Sequence, residues 1–263
     1  MSMKIATWNI NSVRIRLEPI AQLVREAAPD ILCLQETKSE DGYFPYDALR
    51  TLGFTHIYHR GQKSYNGVAI LSRVPLANVH HETFVNDDSR HLAATLPDGS
   101  ELHNFYVPAG GDIPDVNANP KFKHKLDFCD AATQWFTQAR FKNRKLILVG
   151  DLNIAPLPND VWSHQQLLRV VSHTPVEVEA MKKWYDTLGW VDVARHFTPH
   201  EQKLYSWWSY RNRDWKKSDR GRRLDHIWVT PHLTPQLKAI NILRHARDWG
   251  NPSDHVPVVA ELG

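Results

Sequence analysis

The chain has 263 residues, 42% of them apolar and 23% charged, which is ordinary globular usage and excludes collagen-like, coiled-coil and disordered classes. At roughly 100–200 residues per domain this length suits one large domain or two small ones, and a net charge of +3 is too small to name a partner. No run approaches the roughly 18 apolar residues of a membrane span, the start lacks the charged-then-apolar pattern of a secretory leader, and Cys33 and Cys129 lack the spacing of a zinc or redox motif. A cytoplasmic protein with no membrane partner is therefore expected, with a monomer as the default.

From the N-terminus, residues 3–10 (MKIATWNI) alternate with β-branched residues and predict a buried strand. A helix over 14–28, ended by Pro29, and a strand over 30–34 are expected next. Further strands are predicted at 67–71, 91–96, 101–107, 145–149, 223–230, 239–244 and 256–262, with helices near 119–141 and 176–188. Pro97-Asp98-Gly99 lies between two of these strands and fits a hairpin turn. Antiparallel pairs thus coexist with strand–helix–strand stretches, favouring mixed sheets covered by helices over a parallel sheet or a pure sandwich. No repeat, low-complexity tract or linker divides the chain, so one domain over residues 1–263 is expected. Long loops near 37–46, 108–119, 152–175 and 210–221 are where function is expected.

Charge is unevenly spread. Between residues 203 and 223 eight basic side chains (Lys203, Arg211, Arg213, Lys216, Lys217, Arg220, Arg222, Arg223) stand against Asp214 and Asp219, leaving the rest of the chain net negative. Tyr205, Trp207, Trp208, Tyr210 and Trp215 are interleaved with them. Basic charge among flat rings suits a phosphate backbone flanked by bases; a solvated loop anchored by its aromatics explains the segment as well.

Residues 145–156, KLILVGDLNIAP, run an apolar strand straight into Asp151 and Asn153. Their i, i+2 spacing puts both side chains on one face wherever the extended conformation persists, and a carboxylate beside an amide offers a proton acceptor with an orienting donor. Taken alone, such a tetrapeptide is more often a plain turn. Similar polar residues recur at strand ends: Asn9 and Asn11, Glu36, Tyr106, Asp225 within RRLDHIWVT, and Asp254 with His255 before the last strand. A charge in a buried strand is costly unless paired. Asp225 therefore needs a partner, and His255 is the candidate because a carboxylate can fix an imidazole's tautomer and hold its charged form. Glu36 and Asp254, with Asn9, Asp151 and Asn153, are hard oxygen donors with no thiolate and at most one imidazole, a set suited to Mg²⁺ or Mn²⁺ rather than zinc. His196 and His200 straddle Pro199, which argues against a helical zinc pair, and His80 and His81 read as solvated.

Together these motifs resemble a known family. WNIN at 8–11, LQETK at 34–38, YNGVAILS at 65–72, GDLNIAP at 150–156, RRLDHI at 222–227 and SDHVPV at 253–258 are similar, in order and spacing from residue 3 to residue 262, to the exonuclease III/apurinic-apyrimidinic endonuclease family. The resemblance implies an α/β fold, a four-layered sandwich of two packed mixed β-sheets flanked by helices, with a site where strand-end loops meet. It implies an Mg²⁺-dependent nuclease, with Mn²⁺ as the alternative, that hydrolyses double-stranded DNA 5′ to abasic sites and trims 3′ ends in base excision repair. On the same ground Glu36 corresponds to the principal metal ligand, supported by Asn9 and Asp254, with Asp151, Asn153 and His255 beside the metal. Asp151 corresponds to the group that activates the attacking water or protonates the leaving group, Asn153 to the one that orients it, and Tyr106 to a phenol near the scissile phosphate. Asp225 and His255 correspond to a buried carboxylate–imidazole pair. Trp207 and Trp208 correspond to an aromatic pocket against an abasic sugar, and Asn66, Arg211, Arg213, Lys216, Lys217 and Arg222 are expected on the DNA. One departure is Ala109-Gly110-Gly111 after Tyr106-Val107-Pro108, where many members carry a phosphate-contacting Asn. Whether Asp151 or His255 is the general base, and whether one or two metals act, stays open at this point. Two further readings do too: a relative acting on a lipid or inositol phosphate, and a DNA-binding module without catalysis. The basic aromatic segment weighs against the first and the complete acid, amide and imidazole set against the second.

Overall fold

The computed structural model describes residues 2–212 and 214–263. Its elements are β1 (Met3–Asn9), α1 (Leu17–Ala27), β2 (Ile31–Gln35), α2 (Tyr46–Thr51), β3 (His56–Arg60), β4 (Val68–Ser72), β5 (Ala77–His80), β6 (His91–Thr95), β7 (Glu101–Tyr106), α3 (Pro120–Phe136) and β8 (Leu146–Asp151), followed by α4 (His164–Leu167), α5 (Pro175–Asp186), β9 (Val191–Asp192), α6 (Val193–Phe197), β10 (Trp207–Trp208), α7 (Trp215–Ser218), β11 (Gly221–Arg222), β12 (Asp225–Val229), β13 (Leu237–Ile242) and β14 (Val258–Leu262). Two six-stranded sheets form, in the orders β13-β14-β1-β2-β4-β3 and β5-β6-β7-β8-β12-β9, and β10 pairs with β11 in a small ribbon. Both large sheets have the same internal pattern: one central parallel pair, β1/β2 or β7/β8, with antiparallel neighbours on either side. A parallel pair needs a crossover, and α1 and α3 supply it.

Side-chain alternation explains the four layers. In β2, Ile31 and Cys33 point into a core shared with Leu102, Ile147 and Ile227 of the other sheet, while Leu32 and Leu34 point outward to Ile20 and Leu23 of α1. The second sheet buries its outer face in the same way, with Phe105, Leu148 and Trp228 against Phe128, Phe136, Met181 and Trp184 of α3 and α5. Strands buried on both faces read as continuous apolar runs, which is why β2 and β8 stand out in the sequence. The protein is thus a four-layered α/β sandwich.

Local signals place the helix ends. α1 stops where Ala28 takes a left-handed conformation ahead of Pro29. Asn119 caps α3, its side chain accepting from Lys121 N with Pro120 in the first turn, and Thr174 with Glu177 forms a capping box on α5. The helix expected over 14–28 starts later, because residues 13–15 make a 3₁₀ turn and Arg16 leaves the helical path. Of the strands not foreseen, β3, β5 and β9 lie at sheet edges with none of their residues buried, where little apolar periodicity can be read, and β10 and β11 are only two residues long each. Among the described residues no helix is long and apolar enough to cross a membrane.

Candidate active site

The parallel pairs deliver their carboxyl ends to one place. Asn9 ends β1, Glu36 directly follows β2, Tyr106 ends β7 and Asp151 ends β8. Register sets Asp225 opposite Asp151, and the segment before β14 supplies His255. Asn9 Nδ2 joins the two sheets, donating to Glu36 Oε1 and to Asp151 Oδ2, each at 2.8 Å. His255 lies between two carboxylates, with Nδ1 2.8 Å from Asp225 Oδ2 and Nε2 3.7 Å from Asp151 Oδ2. The pairing of Asp225 with His255, 30 residues apart in sequence, is thus present in the fold.

Asn153 reaches Asp151 by a different route from the one its spacing suggests. The extended conformation ends at Asp151, and Asn153 has φ +53°. The carboxylate of Asp151 accepts from the Asn153 backbone N–H at 3.0 Å and from its Nδ2 at 3.1 Å, and Nδ2 also donates to Val107 O at 2.9 Å. A turn closed by the aspartate, rather than a shared strand face, brings the pair together.

Burial pushes the Asp151 carboxyl up to about 7, outweighing the His255 charge and the Asn9 hydrogen bond that lower it, with the Asp225 and Glu36 charges adding to the rise. Burial pushes His255 down, but Asp225 and Asp151 hold its proton, lifting it to about 10. Burial also raises Glu36, yet the Lys38 ammonium, 2.9 Å from Oε2, and the Asn9 amide leave it below its ordinary value. Tyr106 is raised well above 10 by burial and by the charges of Glu36 and Asp151, so its hydroxyl is neutral. The site holds more carboxylate, in Glu36, Asp151 and Asp225, than cation, in Lys38 and His255. One buried acceptor, Asp225 Oδ1, has no hydrogen-bond partner, and Asp151, Asp225 and His255 each present a ligand atom within 4.8 Å of one another. Hard oxygen donors and excess negative charge fit a divalent cation. Glu36, Asn9 and Asp151 are the better-placed holders. Asp225 Oδ2 is already engaged by His255 and by Ser206 Oγ at 2.6 Å, and a cation taking Asp225 would strip His255 of its counter-charge. Asp254 accepts from Asn11 Nδ2 at 3.1 Å and from Trp207 Nε1 at 2.9 Å, and its charge acts on His255.

With this geometry established, comparison with known proteins is decisive. The pattern of the endonuclease/exonuclease/phosphatase family matches residues 6–255. The chain is a nuclease of the exonuclease III/AP endonuclease branch of that family. Over 99% of its length it is 28% identical to the whole of an exodeoxyribonuclease III from Haemophilus influenzae. A 3′–5′ exonuclease from Neisseria meningitidis is 36% identical with a TM-score of 0.91, 99% of each chain being covered. An AP endonuclease from Archaeoglobus fulgidus is 33% identical with a TM-score of 0.90 over 98% of each chain. A 3′ phosphatase from Neisseria, 35% identical with a TM-score of 0.91 over 99% of each chain, was solved bound to a product DNA hairpin. Members of the family work with a divalent metal, in keeping with the donor set above.

The basic aromatic segment proves less uniform than its sequence suggests. Trp208 is fully buried in the core with Tyr205 and Trp215, so its ring is not available to a sugar, which corrects the expectation for that residue. Trp207 is half-buried, with the Arg222 guanidinium 5.2 Å over its ring. Arg223 is buried against Asp160 and Asp192 and offers nothing to a phosphate. Arg211 and Lys217 are exposed, Lys216 is exposed and paired with Asp248 at 2.7 Å, and Arg213 lies outside the described residues. Asn66 is half-buried with φ +50°, and its carbonyl accepts from Lys38 N at 2.9 Å, so it shapes the loop that carries Glu36.

Several supporting residues escaped the sequence reading. Lys38 pairs with Glu36 and was visible in LQETK. Ser206 accepts from the backbone N–H groups of Leu224 and Asp225 and donates to Asp225. Gln35 and Asn104, both buried, bond at 2.7 Å between the sheets just below the site, and Asn104 Nδ2 donates to Leu34 O and Ala69 O. Lys125 Nζ donates to Asn153 O at 2.7 Å from the middle of α3. Only the fold brings these last three to the site.

Proposed function

We propose that this nuclease hydrolyses phosphodiester bonds of double-stranded DNA, incising 5′ to abasic sites and removing nucleotides or blocking groups from 3′ ends, as a base excision repair enzyme. The observation that carries this reading is the joining of Asn9, Glu36 and Asp151 to the Asp225–His255 pair at the meeting of two sheet ends, beside Trp207 and the surface arginines and lysines. The relatives support it, since they include an AP endonuclease, a 3′–5′ exonuclease and a 3′ phosphatase bound to a DNA hairpin.

Glu36, Asn9 and Asp151 would hold the divalent cation, Mg²⁺ or Mn²⁺, which when bound supplies charge at a phosphoryl oxygen. Asp151, whose raised proton affinity suits work near neutrality, takes the proton of the attacking water. Asn153 Nδ2 fixes the orientation of the Asp151 carboxylate. His255, kept cationic by Asp225, donates a charge-assisted hydrogen bond to the developing oxyanion, and the neutral Tyr106 hydroxyl donates a second. Trp207, with Arg222 stacked on it, offers a flat wall to the sugar, while Arg211 and Lys217 contact the phosphate backbone. The division of labour is required by magnitude. Phosphodiester hydrolysis calls for an acceleration toward ~10¹⁷, roughly 23 kcal/mol, while one general base supplies ~10²–10⁴, roughly 3–5 kcal/mol. No single carboxylate can account for the reaction.

The test is a 5′-labelled duplex with one abasic site, incubated with and without EDTA. A single product ending just 5′ to the lesion reports incision, a ladder reports exonuclease action, and both should vanish with EDTA. A phosphoinositide cleaved while the duplex stays intact would overturn the substrate.

A further inference from the structure

Glu36 is held by an unusual stretch of backbone. Glu36 and Lys38 both adopt φ +49°, in the left-handed region that L side chains rarely occupy. Between them Thr37 is fully buried, and its side chain points away from the site. Thr37 Oγ1 lies 2.9 Å from His59 Nε2, and His59 Nδ1 lies 3.0 Å from the Asp41 carboxylate in a bent contact. A proton on Nδ1, the nitrogen that faces Asp41, would leave Nε2 as acceptor for the Thr37 hydroxyl. The Phe44 ring stacks on the imidazole at 3.9 Å. Two glycines leave room for the chain of contacts: a Cβ at Gly67 would lie 2.0 Å from Thr37 Oγ1, and one at Gly61 would lie 2.2 Å from His59 Cε1. The backbone on either side is pinned as well, by Ser12 N to Glu36 O, Thr37 N to Gly67 O and Lys38 N to Asn66 O.

We infer that Thr37, held by His59 and through it by Asp41, is a positioning residue that keeps Glu36 in its left-handed conformation and so presents the carboxylate to a divalent cation. This rests on the reading of Glu36 as a metal ligand. Outer partners that orient a ligand are worth about 10–100-fold in metal affinity, which sets the scale of the effect.

The probe is Mn²⁺ binding to the DNA-free protein, followed by electron paramagnetic resonance, alongside kcat, KM and thermal unfolding. Thr37→Val, which keeps shape and loses the hydroxyl, should weaken Mn²⁺ about 10-fold and lower kcat at fixed Mn²⁺ with KM for DNA within about 2-fold. Thr37→Ser should restore both to within about 2-fold. His59→Phe keeps the stack on Phe44, loses both ring nitrogens and should reproduce the Mn²⁺ defect even if Thr37→Val does not fold. Glu36→Gln tests the premise separately: unchanged Mn²⁺ affinity there overturns the ligand assignment. A defect in Glu36→Gln with native Mn²⁺ affinity in Thr37→Val or His59→Phe overturns the positioning role alone, as does an equal loss in Thr37→Ser.

Discussion

Lys125 and Glu177 are both fully buried and form an ion pair between α3 and the first turn of α5. Lys125 Nζ also donates to Asn153 O at 2.7 Å and Ala109 O at 3.3 Å, tying together the two loops that border the site. Replacing Lys125 with Met leaves the Glu177 carboxylate buried without its cation and two carbonyls without a donor. Breaking a buried pair costs about 3–5 kcal/mol. Glu177 keeps its bonds from Ser172 N, Thr174 N and Thr174 Oγ1, which holds the expected loss toward the lower end, about 3 kcal/mol. With a typical stability of roughly 5–15 kcal/mol the variant stays folded at 20 °C. Urea denaturation at pH 7.5 measures the loss. Adding Glu177→Gln removes the stranded charge, so the double variant should recover at least half of it and show a coupling of about 2 kcal/mol in a double-mutant cycle. Because Asn153 loses its anchor, kcat of folded Lys125→Met should fall about 10-fold with little change in KM. A loss below about 1 kcal/mol, or strictly additive single variants, would refute the reasoning.

Asp225→Asn leaves burial, which pushes His255 down, opposed by Asp151 rather than by both carboxylates, so the imidazole should titrate well below its native value of about 10; an imidazolium persisting at pH 9 by NMR would contradict this. His226, buried and pushed down to about 4 by burial and by Arg223, is neutral in the folded protein, whereas the unfolded chain takes up its proton near 6.5. Its contribution to stability is therefore full above pH 6.5 and is lost as the pH falls toward 4, about 3 kcal/mol in all. His226→Gln, able to keep one donor and one acceptor, should flatten the stability profile over that window, and parallel wild-type and variant profiles would exclude the effect. Trp208→Ala should cost about 3–5 kcal/mol through the cavity it opens, while Trp207→Ala should leave urea stability within about 1 kcal/mol and raise KM for abasic duplex. The reverse pattern would show that the two rings had been assigned the wrong way round.

The sequence alone carried the layered α/β architecture, because strands buried on both faces are largely apolar and β2, β4 and β8 announce themselves that way. It also carried the chemistry-bearing side chains, since a carboxylate or amide abruptly following such a run has no packing reason to be there. Asn9, Glu36 and Asp151 were singled out on that ground and Asp225 as a charge embedded in an otherwise apolar strand, and six short motifs in fixed order resembled the family that the comparisons then established.

What only tertiary structure decided was which of these groups meet, and how. Identical sheet patterns put the carboxyl ends of two parallel pairs against one another, so that one amide of Asn9 serves both Glu36 and Asp151, the latter 142 residues away. No local pattern encodes that distance, nor the choice between Trp207 and Trp208, neighbours on a two-residue strand whose side chains fall on opposite faces. The supports were equally hidden: Lys125 lies mid-helix, and His59 lies on an edge strand whose polar character resembles a loop. A side chain's role in holding a site depends on what it touches across the fold, and periodicity reports only which way it faces along its own element.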